Sequence, residues 1–326
     1  MTATRLEPEP TGAPAGDGVP PGEETPPRDG PRGPSGPGAG RRRSVEAWVM
    51  LAPNLLLIGL FLLAPLVWAF ALSFQAKRSF GPGSWTGLDN LTRLLGDGVF
   101  WRALLNTAVF TVATVPIGIV LGLALALLLN RALPGRGVFR TIVYLPVVLS
   151  TLVVSLVGLL LFDESVGVIN GILRGLGLGG ASWQTDGGLA MASVAVMTLW
   201  SRVGFSVIVY LAALQDLDEE MLEAAEVDGA GTWAKVRHMI VPSLRPTTLF
   251  LVVINLIWSF QVFDVVYVMT NGGPGYSTTM LVTYAYDEGF GAPRNFGYGA
   301  TVGVVLFALT LVATLVQLRL SRRKDA

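Results

Sequence analysis

The sequence predicts an all-α, polytopic membrane protein with about six transmembrane helices, and three observations predict it. The 326 residues are 52% hydrophobic and only 14% charged, too apolar for a domain that must solvate its whole surface. Six stretches stay apolar over roughly the 20 residues that a helix needs to cross a hydrocarbon core about 30 Å thick. Lysine and arginine fall unevenly on the two sides of those stretches. Helices are the expected form, because a helix satisfies its own backbone groups where no water can.

Charge and composition exclude other classes. The formal net charge is zero, so no basic field points to nucleic acid. The absence of cysteine removes disulfides, thiolate metal sites and cysteine nucleophiles. A single histidine, His238, is too little for a multi-histidine metal centre. Residues 1–43 are packed with Pro, Gly, Glu and Asp and end in Arg41, Arg42 and Arg43. With no apolar core this stretch is not a secretory signal. It buries too little to offset chain entropy, so it reads as a disordered cytoplasmic tail before a membrane domain over 44–326.

The expected spans cover 45–74, 104–129, 142–162, 189–214, 247–269 and 297–318. Pro53, Pro65, Pro116 and Pro146 fall inside them and should appear as kinks, which membrane bundles tolerate. Gly118 with Gly122, and Gly299 with Gly303, lie four apart and should form notches for close helix packing. With both ends inside, about thirteen basic residues flank the cytoplasmic side and about six the outer side. The positive-inside rule therefore places both termini in the cytoplasm of a multi-pass inner-membrane protein.

The connection 215–246 between the fourth and fifth spans is long, acidic at first and then basic. Asp216 or Asp218 can cap a helix carrying Glu219, Glu220 and Glu223 in its first turns, where carboxylates suit the helix dipole. Gly229 and Gly231 break it. Thr232 can cap a second helix with Trp233, Val236 and Ile240 on one stripe, and Pro242 closes the segment. A short helical hairpin at the cytoplasmic face follows, with Ala224 and Ala225 keeping one side low enough for another protein to fit.

The run Glu223-Ala224-Ala225, Asp228-Gly229-Ala230 and then Pro242 resembles the EAA loop of binding-protein-dependent ABC importer permeases, with Met239 and Val241 as mild apolar departures. Leu145-Pro146, Phe260-Gln261-Val262-Phe263-Asp264, Thr270-Asn271-Gly272-Gly273-Pro274, and Tyr284 with Tyr286 and Phe290 resemble the carbohydrate branch of maltose- and glycerol-phosphate-type permeases. The resemblance implies a type I ABC importer permease fold and a coupling role for Glu223, Ala224, Ala225, Asp228, Gly229, Ala230 and Pro242 in a cleft of an ATPase. It also implies the partners: a second, non-identical permease, two ATPase subunits and an extracytoplasmic solute-binding protein. The solute expected is a sugar or sugar-like molecule, moved by alternating access.

Polar groups inside spans are costly and should face the bundle interior or a wet cavity. Arg202, Asn255 and Ser259 are the candidates for the solute path, with Phe205, Thr151 and Gln261 behind them. The resemblance places the solute site on the helices flanking the loop. Helix-bonding Asn and Ser, and an Arg202–Asp264 pair, are the structural alternatives. No Gly-x-x-x-x-Gly-Lys-Ser/Thr occurs in the chain, so ATP and Mg are expected on a separate ATPase, with no cofactor here and no enzyme active site. An ion-coupled secondary carrier is the alternative function. The turn 271–275 should lie on the outer face, either as a plain turn or in contact with the binding protein.

Overall fold

The computed structural model describes residues 39–78, 81–131 and 134–322, and these divide into two units at residues 59 and 60. The first unit contributes helix α1 (Ala39–Ile58), with Pro53 inside it. Of the expected tail, residues 1–38 lie outside the described residues, and α1 already starts at Ala39.

The second unit begins within the π-helical turn Gly59–Leu63. Helix α2 (Ala64–Ser73) carries Pro65 in its first turn, where a missing N–H costs no intrahelical bond. Two short antiparallel strands, β1 (Gln75–Ala76) and β2 (Ser84–Trp85), pair Gln75 with Trp85. Helix α3 (Asp89–Leu95) leads to α4 (Gly98–Asn130), which is 33 residues long and continuous through Pro116. The third expected span is not one helix. It is α5 (Arg136–Val148) and α6 (Thr151–Leu161), bent by 104°. Pro146 removes an N–H just before the break, and Ser150 adopts extended backbone, so the α5 ladder cannot run on.

Helix α7 (Val168–Gly175) lies in the next connection, and α8 (Gly187–Gln215) is again unbroken. Then come α9 (Glu219–Val227), α10 (Thr232–Lys235), a π-helical turn Val236–Ile240, and α11 (Val241–Ser243). Helix α12 (Arg245–Phe260) starts at a 67° bend from that segment. The fifth expected span, 247–269, is likewise divided, because α12 ends at Phe260 and α13 (Asp264–Met269) is separate. Helices α14 (Leu281–Phe290) and α15 (Phe296–Arg322) complete the described chain. Among the described residues, four helical segments are long and apolar enough to cross a membrane unbroken, and the count reaches six if each bent pair is one span.

Three apolar cores run through the second unit. One joins Phe110, Val154, Val194, Met197 and Val266, a second joins Ile119, Ala126, Val207, Tyr210 and Leu251, and a third joins Leu94, Phe100, Tyr284, Tyr298 and Val302. Small residues set the close approaches. A Cβ on Gly122 would stand 2.6 Å from Ser206 Cβ, and one on Gly299 would stand 2.6 Å from Gly289 Cα, so α4 meets α8, and α15 meets α14, backbone to backbone. A Cβ on Gly118 would make ordinary contact with Leu199, and one on Gly303 would meet open space.

Candidate functional site

Two groups of residues form the candidate site. The first is the hairpin between α8 and α12. Asp218 caps α9, its carboxylate accepting from Glu220 N at 2.9 Å. The helix ends in two bonds that wrap its last turn, Ala230 N to Ala225 O at 2.9 Å and Gly229 N to Glu226 O at 3.0 Å. Gly229 sits at φ +86°, the left-handed C′ position of this helix end, which favours glycine. The chain then reverses, and Lys235 Nζ returns to Glu226 Oε2 at 2.7 Å. That hydrogen bond and the lysine charge hold the Glu226 carboxyl below its usual range.

The second arm departs from a regular helix. The turn Val236–Ile240 is π-helical, so 3.6-residue periodicity does not carry across it. Trp233 is 74% exposed, while Val236 and Ile240 are partly buried. Val227 is 88% exposed, and Glu223, Ala224 and Asp228 are exposed with it, while Ala225, Ala230 and Pro242 are partly buried. The hairpin thus presents carboxylates, small residues and the large apolar side chains of Met221, Val227, Trp233 and Val241 outward. Exposed apolar groups of this kind mark surfaces that meet another protein or a membrane.

The second group lies where α4, α8 and α12 converge, between the first two cores. Thr114, Val115, Thr198, Leu199, Arg202 and Asn255 line a gap of about 10 Å³, room for no more than one water. The Arg202 guanidinium stands over the Trp258 ring, 5.6 Å from its centroid, and Phe205 meets the same ring edge-on at 5.0 Å. Asn255 Nδ2 donates to Leu251 O at 2.8 Å and to Ser206 Oγ at 3.5 Å. Ser259 is buried and shares a 2.9 Å bond with Thr111 Oγ1. The structure therefore brings Arg202, Phe205, Asn255 and Ser259 to one region. Thr151, at the first turn of α6, and Gln261, just past α12, are exposed and do not line the gap. The ion pairs of the described residues are Arg93–Glu288 and Lys235–Glu226, so the Arg202–Asp264 pair is not formed.

Residue types alone did not single out the threonines. Thr107, Thr111 and Thr114 fall on one face of α4 at spacings of four and three, and each hydroxyl bonds its own helix, to Ala103, Thr107 and Phe110 O. Their spacing opposite Asn255 and Ser259 was the available signal. A third feature was also unmarked. Asp97 caps α4 through Val99 N at 2.9 Å and also accepts from the Tyr284 and Tyr298 hydroxyls. Arg93 stacks on Tyr298 at 3.9 Å and pairs with Glu288 at 3.4 Å. The turn after α13 is tightly self-bonded, with Thr278 N and Thr279 Oγ1 donating to Gly272 O at 3.1 and 3.0 Å.

Comparison with known proteins gives concordant matches. Residues 118–326 match the family described as binding-protein-dependent transport system inner membrane component. The lactose transport system permease protein of Rhizobium radiobacter is 36% identical over 289 residues, covering 87% of this chain and 96% of the relative. The sulfoquinovosyl glycerol transport system permease protein of Agrobacterium fabrum is 33% identical over 281 residues, covering 86% and 91%. A crystal structure of a bacterial alginate ABC transporter, in complex with an alginate pentasaccharide-bound periplasmic protein, superposes with a TM-score of 0.76 at 27% identity, covering 86% and 96%.

Proposed function

Because the chain belongs to the binding-protein-dependent transport system inner membrane components, we propose that it carries a sugar or sugar-like solute, received from an extracytoplasmic binding protein, across the membrane by alternating access. Membership makes it the permease subunit of an ABC importer, a pore rather than an enzyme, with ATP hydrolysed by a separate ATPase. The further reading is that ATP and Mg stay on two such ATPases. A second, non-identical permease completes a type I bundle, and both termini lie in the cytoplasm of a multi-pass inner-membrane protein. The relatives named for lactose and for sulfoquinovosyl glycerol support a carbohydrate, and the alginate complex supports delivery by a periplasmic protein.

One observation carries the mechanism. The hairpin is continuous with two of the three helices that line the gap, following α8 within four residues and entering α12 through the 67° bend. A push on Glu223, Ala224, Ala225, Asp228, Gly229, Ala230 and Pro242 therefore reaches Arg202 and Phe205 through α8, and Asn255 and Ser259 through α12. A gap of about 10 Å³ admits no sugar, so the two helices must part for solute to pass. Thr151 and Gln261, exposed at helix ends, are proposed as the rim of that path. Trp258 supplies an aromatic face for the C–H side of a sugar ring.

The test is uptake by the reconstituted importer, with its partner permease, ATPases and binding protein in proteoliposomes. Sugar accumulation should follow ATP and ignore an uncoupler. Accumulation driven by an ion gradient without ATP would establish a secondary carrier instead.

A further inference from the structure

Arg202 lies close to the middle of α8, at the depth where a cation must find a counter-charge, a carbonyl or water. Arg140 and Arg174 donate to backbone carbonyls, and Arg93 has a carboxylate and an aromatic face. Arg202 has neither a hydrogen bond nor an ion pair among the described residues, only the Trp258 ring at 5.6 Å.

The groups around it are matched in one direction. Thr114 Oγ1 donates to Phe110 O at 2.7 Å, Thr198 Oγ1 to Val194 O at 2.8 Å, and Asn255 Nδ2 to Leu251 O at 2.8 Å. The two hydroxyl donors point at their own helices, and the Asn255 amide is spent on Leu251 O and, at 3.5 Å, on Ser206 Oγ of α8, which leaves hydroxyl lone pairs and the Asn255 carbonyl as acceptors. The gap therefore offers a solute acceptors for its hydroxyl protons, an aromatic plane for its ring, and one source of unspent donors, the guanidinium. A planar five-donor cation prefers an oxyanion it can bind in two-pronged fashion.

We infer that Arg202 makes this path selective for sugars bearing an anionic group, a carboxylate, sulfonate or phosphate, with the anion on the guanidinium and the ring on Trp258. The inference rests on the importer reading and specifies its solute class. A neutral sugar would fill the same acceptors but leave the charge of Arg202 uncompensated in a low-dielectric site.

The assembled importer in lipid nanodiscs is titrated calorimetrically with the uronate, sulfonate and phosphate derivatives of one disaccharide, each against the neutral disaccharide. At least one anionic derivative should bind about ten-fold more tightly or better, the scale of one charge-assisted hydrogen bond. Arg202→Gln should erase that preference and Arg202→Lys should keep part of it, because the charge remains while the planar fork is lost. If none of the three derivatives outbinds the neutral disaccharide, or if the preference survives in R202Q, the inference is overturned. ATP-driven uptake of neutral sugars with no anion preference would remove the inference alone, whereas absence of any ATP-driven sugar uptake would remove the importer reading beneath it.

Discussion

Lys235 Nζ and Glu226 Oε2 stand 2.7 Å apart and join the two arms of the hairpin across the Gly229 turn. The pair lies at the surface, where such contacts add little to stability. Its consequence is mechanical, since arms tied together transmit a displacement as one body. Glu226→Gln should therefore leave assembly intact and lower the number of solutes moved per ATP several-fold. The ratio of uptake to hydrolysis measures this, and the reversed pair, Glu226→Lys with Lys235→Glu, should recover it. An unchanged ratio in E226Q would show that the pair is only a surface contact.

Gly229 separates two effects that are often merged. A Cβ there would meet nothing within 4 Å, so space is free and only the left-handed backbone opposes a side chain, at about 1–2 kcal/mol. Gly229→Ala should weaken uptake modestly. Aspartate tolerates this backbone better than alanine, yet Gly229→Asp adds charge to the outward surface, and Glu223→Lys reverses it. Both are expected to abolish uptake and to loosen copurification with the ATPase, and retention of both properties in the two variants would refute the coupling role.

Asn255 and Ser259 differ although they sit four apart on α12. Asn255 lines the gap, so Asn255→Ala should raise the KM for uptake while copurification with the ATPase holds. Ser259 is tied to Thr111 and to Leu256 O. Ser259→Ala should cost about 1 kcal/mol of stability and change KM less. Uptake kinetics identical to the parent in N255A would remove that residue from the path.

The apolar runs were legible because a bilayer demands length and composition, which a sequence displays directly. The hairpin was legible through Asp218, Gly229 and Pro242, whose backbone preferences are local. The break at Leu149–Ser150 was not, since Pro146 marks a weak point without saying whether neighbouring helices will bridge it; Pro116, also within an apolar run, leaves α4 continuous. The π-helical turn Val236–Ile240 was not legible either, because no residue type announces such a turn. Asp97 escaped notice because its meaning depends on Tyr284 and Tyr298, 187 and 201 residues away.

That last group makes a prediction with a defined sign. Burial alone would raise the Asp97 carboxyl. The Tyr284 and Tyr298 hydroxyls and the N–H groups of Val99 and Phe100 outweigh it and hold the group below its ordinary 3.8. A carboxyl lowered by folding stabilises the fold fully above its unfolded value and loses that contribution as pH falls through the lower, folded one. Asp97→Asn keeps the shape but removes the charged acceptor from two buried tyrosines and one helix cap. The variant should melt earlier than the parent at neutral pH in detergent, and the gap should narrow as pH falls through 3.8 and below, toward the lower folded value. Asp97→Ala, which also strips the cap and strands both hydroxyls, should cost about 3 kcal/mol in all. Asp163, Glu164 and Glu226, also held low, titrate in parent and variant alike, whereas Glu288, raised by burial and also by the Asp97 charge, shifts with the substitution, so the difference between the two melting curves reports Asp97 together with its neighbour Glu288. A gap that stayed constant across that pH range would mean that the tyrosines bind the carboxyl no better when it is charged.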